Sequence, residues 1–262
     1  MPAQYAARLI DHPWDVTGRN PSKRLSKVVV PDRGADRRAV GSLRGVPPTD
    51  AELDTAYSAR GTVTPERFAH LMERYRAASK SATAGLPGLS GIVYDEASGE
   101  QLDVWGAGPG RPVFVFLHGG YWRALSRHDS AFMAAMLHGQ GVATVAVDYT
   151  LAPAATLEEI VRQSRAAVAW VHRHGPEHGL DPRRIVVGGS SAGGHLTGMT
   201  MVDGWQHAYG LPDDAVAAAF PISGLFDIRP LVRTHINEWL GLDEARAAAL
   251  SPALRVPPAE RR

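Results

Sequence analysis

Cysteine is absent from all 262 residues, which excludes disulfide frameworks, thiolate zinc sites, iron–sulfur clusters and cysteine nucleophiles. No apolar run approaches the roughly 18 residues of a membrane span, and the first stretch, Met1 to Thr17, is broken by Asp11, Pro13 and Asp15 and holds no segment of signal-peptide type. An excess of one charge is lacking as well. Lys and Arg number 28 against 27 Asp and Glu, a formal net charge of +1, too balanced for a general nucleic-acid or acidic-surface binder. Neither the phosphate-loop pattern G-x-x-x-x-G-K-[ST] nor the dinucleotide pattern G-x-G-x-x-G occurs. These absences leave a globular chain of one domain, two at most, read as cytoplasmic, with no nucleic-acid or membrane partner expected.

What is present is unevenly placed. Residues 1–48 carry nine Lys and Arg against four Asp, six prolines and a single dense apolar cluster, Val28 to Val30. They read as a poorly ordered basic extension, with residues 49–262 as the domain proper. Thr64-Pro65-Glu66 opens a helix, a cap residue before Pro at the first helical position, with Phe68, Leu71, Met72 and Tyr75 at helical spacing. Gly91 to Asp95 and Gln101 to Gly106 flank the turn-rich Glu96 to Gly99 and predict a β-hairpin. Pro112 to Gly120 and Val142 to Tyr149 are continuous apolar runs, as strands buried on both faces of a parallel sheet require, with a helix expected over Asp129 to His138 between them. Thr156 to Glu159 reads as a capping box for a helix that Gly175-Pro176 stops. Ile185 to Ser190 predicts the next strand, Ala192 to Met201 a helix, and Ala215 to Gly224 one more strand. That alternation specifies an α/β fold with a mostly parallel sheet.

The sharpest motif is Gly189-Ser190-Ser191-Ala192-Gly193, a G-x-S-x-G directly after a buried strand and directly before a helix. A serine there sits on a sharp turn whose flanking glycines permit close backbone approach, so Ser191 is the candidate nucleophile. The helix N-terminus behind it adds free N–H groups for a developing oxyanion. The alternative is a plain glycine-rich turn. His118-Gly119-Gly120-Tyr121-Trp122 ends an earlier strand and offers the N–H groups of Gly119 and Gly120, with that of Ala192, as an oxyanion hole. His118 belongs to the shape of that loop rather than serving as base, while Tyr121 and Trp122 stand open between pocket wall and packing. His172, His174 and His178 cluster at a helix end with no carboxylate at ligand spacing and read as solvated side chains.

HGGYW, the elbow GGSSAGGH, DYTLAP (Asp148 to Pro153), and SGLFDIRPL (Ser223 to Leu231) followed by Asn237 and LGLDEAR (Leu240 to Arg246) together resemble the α/β-hydrolase superfamily. Within it the chain is most similar to the kynurenine formamidase (arylformamidase) group, related to the hormone-sensitive-lipase-like esterases. The Tyr-Trp after HGG resembles the formamidases, where those esterases usually carry a third glycine, and Tyr57 with Arg60 also fits. The resemblance implies a three-layer α/β-hydrolase sandwich and a cofactor-free, metal-free hydrolysis of N-formylkynurenine to kynurenine and formate in tryptophan breakdown. It also implies a Ser, Asp, His triad in that chain order, and a small-molecule acyl or formyl substrate as the partner. A homodimer stays open.

The tail departs from that pattern. Past Leu231 the chain offers helical pieces, about Leu231 to Leu240 and Asp243 to Leu250, and ends in Pro257-Pro258-Ala259-Glu260-Arg261-Arg262. The last two strands, the triad acid and the base are therefore expected to be missing, as a premature stop or frameshift would leave them. Of the histidines after Ser191, His195 stands on the elbow helix where the resembling families commonly hold a structural polar residue, His235 with Asp227 has the right chain order but only eight positions from acid to base, and His207 is a weaker candidate still. Two readings follow, a serine hydrolase of formamidase or esterase type, and a catalytically inactive fragment or binding relative. The last strand, Ala215 to Gly224, is expected to form an uncovered apolar edge.

Overall fold

A computed structural model describes residues 47–256. The basic extension over residues 1–48, with its Val28 to Val30 cluster, lies outside the described residues but for its last two positions. Helices α1 (Asp50–Tyr57) and α2 (Pro65–Thr83) lead into strands β1 (Gly88–Asp95), β2 (Glu100–Trp105) and β3 (Arg111–Leu117). Then come α3 (Ala134–Gly139), β4 (Ala143–Val147), α4 (Leu157–His174), β5 (Leu180–Ser190), α5 (Ala192–Thr200), α6 (Trp205–Ala208) and β6 (Ala218–Ile222). Short helices α7 (Asn237–Leu240), α8 (Glu244–Ala249) and α9 (Pro252–Arg255) close the described chain. None of these helices is long and apolar enough to cross a membrane.

The six strands form one sheet in the order β1-β2-β4-β3-β5-β6. The predicted hairpin β1–β2 is antiparallel and joins β4 antiparallel, while β4, β3, β5 and β6 run parallel. Period-two alternation sorts β3 between two layers. Val113, Val115 and Leu117 enter the main core with Ile160, Val168 and Leu196 of α4 and α5, whereas Phe114 and Phe116 turn to the other face. There Phe116 meets Phe132 edge-on at 5.7 Å, and Phe132 in turn meets Tyr75 of α2 at 5.4 Å. The result is the expected helix–sheet–helix sandwich.

Several local readings need correction. The helix expected over Asp129 to His138 forms only as α3, because Asp129 is engaged by the Ser126 N–H and hydroxyl and by Arg76 Nε, which hold a 3-10 turn at residues 127–129 instead. At α4 the Thr156 hydroxyl does accept the Glu159 N–H (3.3 Å), but the reciprocal half of the capping box is missing, since Glu159 is drawn to Arg162 and Gln163. The segment expected as helix over Leu231 to Leu240 divides into a 3-10 turn at residues 229–233 and α7. The final strand is shorter than its apolar run, because Ala215 and Val216 are already in the core before β6 begins. No strand follows β6 among the described residues, and Phe220 (60% exposed), Ile222 (40%) and nearby Phe226 (38%) stand open to solvent.

Candidate active site

Parallel pairing brings the two sequence motifs together. Leu117 lies in register with Gly189, so the loop that follows β3 and the turn that follows β5 leave the same end of the sheet side by side, where open α/β sheets bind their ligands. Ser191 occupies that turn with φ 56° and ψ −116°, a backbone state that a non-glycine residue holds only when its surroundings over-determine it. Three contacts do so. The Ser191 N–H donates to the Ile222 carbonyl of β6 (2.8 Å), the His195 N–H donates to the Ser191 carbonyl (3.0 Å), and α5 packs in at a distance only glycine allows. A Cβ on Gly193 would fall 1.9 Å from the Leu117 carbonyl oxygen.

The partner loop is equally constrained. Gly119 lies against the turn, where a Cβ would sit 2.8 Å from the Ser190 carbonyl oxygen and 3.5 Å from Ser191 Cβ. Gly120, Tyr121 and Trp122 follow with φ 96°, 49° and 58°. Tyr121 is half-buried and its hydroxyl donates to the Tyr57 carbonyl (2.5 Å), while its own carbonyl accepts the Trp239 indole N–H (3.1 Å). Burial, and next to it the Asp227 charge, raise the Tyr57 phenol; burial does the same for Tyr121. Arg123 lies over the Trp239 ring at 4.3 Å, a cation–π contact. Trp122 is fully buried, with its ring edge-on to His195 at 5.0 Å, so it packs the core rather than walling a pocket. The backbone N–H groups of Gly119, Gly120 and Ala192 find no acceptor among the described residues. Three donors are thus left at the serine's corner of the sheet, which is what a developing oxyanion requires.

His118 has a supporting place in this loop. Its Nδ1 reaches the Gly119 carbonyl (2.9 Å), its ring stacks on Tyr149 at 4.1 Å, and the Tyr149 hydroxyl donates to the His118 carbonyl (2.9 Å). Burial lowers its pKa and raises that of the Tyr149 phenol, so both stay neutral near pH 7. His195 is buried under the turn, with Nε2 on the Leu250 carbonyl (2.7 Å), and burial pushes its pKa down to about 4. His235 turns away to Asp54, its Nδ1 at 2.9 Å from Oδ1. Asp227 is taken by Arg229 and the Ser251 hydroxyl, so His235 and Asp227 do not form a pair. His207 faces Asp213 at 3.4 Å, and His174 and His178 flank the Trp170 ring. Ten of the eleven histidines lie among the described residues, and none of the ten imidazole rings hydrogen-bonds the Ser191 side chain. Among the described residues no group of three or more His, Asp or Glu side chains could hold a metal ion.

The sequence motifs thus meet as a serine turn and a donor loop. Trp239, Arg123 and the Ile222 carbonyl are supporting parts that no motif announced. Trp239 lies 118 positions from Tyr121 in a short helix, and nothing in its local sequence distinguishes it from a packing tryptophan.

A family profile described as the alpha/beta hydrolase fold matches residues 114–250, which contain both motifs. A kynurenine formamidase of Salmo salar is 33% identical over 208 residues, covering 74% of this chain and 68% of that protein. A kynurenine formamidase of Danio rerio is 34% identical over 169 residues, covering 63% and 55%. The chain therefore spans between about half and two thirds of the length of these curated relatives. Among solved structures, one described as a thioesterase from Silicibacter sp. TM1040 superposes with a TM-score of 0.59 at 31% identity, covering 81% of this chain and 78% of that one.

Proposed function

The chain belongs to the α/β-hydrolase fold family, and from that premise we propose that it is a serine hydrolase whose nucleophile is Ser191 and whose oxyanion donors are the N–H groups of Gly119, Gly120 and Ala192. What carries this reading is the Ser191 backbone, fixed at φ 56° and ψ −116° against the Gly119 loop. Ser191 Oγ adds to a carbonyl carbon, and the three N–H groups bind the oxygen as it becomes negative. The bond to the leaving amine or alkoxide then breaks, the serine proton ends on the leaving group, and an acyl or formyl ester remains on Ser191. Water adds to that ester, the C–Oγ bond breaks, and the acid departs with the serine restored.

For the substrate we favour a formamide of the N-formylkynurenine type. Support comes from the kynurenine formamidase relatives and from Tyr121, whose hydroxyl and carbonyl are both engaged so that an aromatic ring stands directly after the two donor glycines. An ester or thioester fits the same chemistry. No described histidine ring hydrogen-bonds the Ser191 hydroxyl, and that favours a second reading in which this chain binds acyl compounds with little turnover. Loss of one triad member costs on the order of 10⁴ to 10⁶ in rate. N-Formylkynurenine and p-nitrophenyl acetate hydrolysis by the wild type and by Ser191→Ala separate the two. Turnover lost in Ser191→Ala supports the hydrolase, and turnover unchanged in it contradicts Ser191 as nucleophile. Absence of any turnover, with saturable binding of N-formylkynurenine, supports the binding reading.

A further inference from the structure

We propose that the cleft between α2, β2 and the 126–131 loop is a binding site for a small aromatic carboxylate, separate from the serine site. The cleft is about 520 Å³ in volume, within the range of small-molecule sites. It is lined by Arg76, Ser79, Lys80 and Thr83 of α2, by Asp103 and Trp105 of β2, and by the 126–131 loop with His128. Two strands, β4 and β3, stand between β2 and β5, so it lies about three strand spacings, ~14 Å, from the serine turn.

Its charges are unevenly satisfied. Asp103 is buried and already accepts the Ser90 hydroxyl (2.7 Å), the Gly91 N–H (2.8 Å) and Arg127 Nε (3.0 Å). Asp129 is buried too and accepts Arg76 Nε (2.9 Å) and both the N–H and hydroxyl of Ser126 (3.1 Å each). The Arg127 guanidinium is fully committed to Asp103, Asp148 and Gln101. The cations are not used up in the same way. Arg76 spends only Nε, leaving both terminal nitrogens of its fork free; Lys80, one helical turn along the same face, has no partner among the described residues; and His128 has only a 3.9 Å approach to Asp103.

A free guanidinium fork beside an ammonium suits a planar carboxylate. The two buried acids behind them repel a dianion, which sets a monoanionic carboxylate above a phosphate. Trp105 supplies the flat apolar wall. Its ring lies on the β1 backbone at Gly88, where a Cβ would come within 2.3 Å of Cε3, so it is held in place to stack on an aromatic ring.

Calorimetric titration of the full chain with benzoate, with benzamide as the neutral isostere and inorganic phosphate as the rival anion, tests the site. Benzoate is expected to bind saturably with a Kd on the order of 1 mM, and Lys80→Met and Arg76→Gln each to weaken it about fivefold. Arg233→Gln, in a separate cleft lined by Leu53, Asp227 and Arg229, is expected to leave benzoate binding unchanged. Lys80→Met removes no contact seen in the fold, so its thermal melt is expected to match the wild type. The proposal is overturned by any of three results: no saturable benzoate binding, benzamide or phosphate binding as tightly as benzoate, or wild-type affinity in both cation variants.

Discussion

Strands β4 and β6 are written in much the same alphabet, ATVAV and AAFPI, and both run parallel to β3 and β5. Yet all five residues of β4 are buried, while four of the five in β6 are exposed. The difference lies in their neighbours. β4 is hydrogen-bonded between β2 and β3 with helices above and below, whereas β6 has β5 on one side and no strand on the other among the described residues. An apolar run therefore reports the burial a strand is suited to, not the burial it receives. β6 nevertheless does a structural job at the site, since its Ile222 carbonyl holds the Ser191 N–H.

The sharpest way to break this contrast is to place a carboxylate at matched points in the two strands. Val145→Asp, at a fully buried position of β4, is expected to cost several kcal/mol, about 4 or more, and to remove the cooperative melt. Phe220→Asp in β6 is expected to change stability by less than about 1 kcal/mol and to reduce self-association in light scattering, because it interrupts an exposed apolar edge. Equal destabilisation by both would mean that β6 is as well covered as β4.

The second test concerns the layer under the serine turn, where His195 is buried and neutral with its pKa pushed down to about 4. In the unfolded chain the same side chain titrates near 6.5. Between those values the unfolded state binds the extra proton, so a stabilisation present above about pH 6.5 is lost as pH falls toward 4, on the order of 3 kcal/mol for this residue. Burial lowers the His118 pKa as well and adds in the same direction. Chemical denaturation at pH 7.0, 6.0 and 5.0 is expected to show that loss, and His195→Gln, which keeps a donor toward the Leu250 carbonyl, to flatten it. A slope unchanged in His195→Gln would assign the loss to other groups.

The smallest expected effect belongs to the far side of the site. Trp239→Phe keeps an aromatic ring under Arg123 but removes the N–H donated to the Tyr121 carbonyl. A stability loss of about 1 kcal/mol is expected, with a slower reaction of Ser191 toward acylating probes because the donor loop is less firmly placed. A wild-type probe rate would make Trp239 a packing residue only.

The sheet, its parallel runs and the place of both motifs were legible because their signals are local: continuous apolar runs, Gly-x-Ser-x-Gly between strand and helix, two glycines after a strand. Boundaries failed where a side chain had a distant claimant. Asp129 was taken by Arg76 from α2 and shortened the expected helix, whereas the capping box failed locally, Glu159 turning to Arg162 three positions on along the same helix. The braces of the donor loop were illegible for the same reason as the Asp129 contact, since Tyr57, Tyr121 and Trp239 meet only through the fold. The spacing argument against His235 agrees with its turning to Asp54, though that acid could not have been named from the sequence.

Fluorophosphonate labelling of the folded chain, followed by peptide mass mapping, tests most directly the proposal that Ser191 is a poised nucleophile. A single adduct on Ser191, absent in Ser191→Ala and in heat-denatured protein, is the predicted result. An unlabelled folded chain, or an adduct that persists in Ser191→Ala, would contradict it.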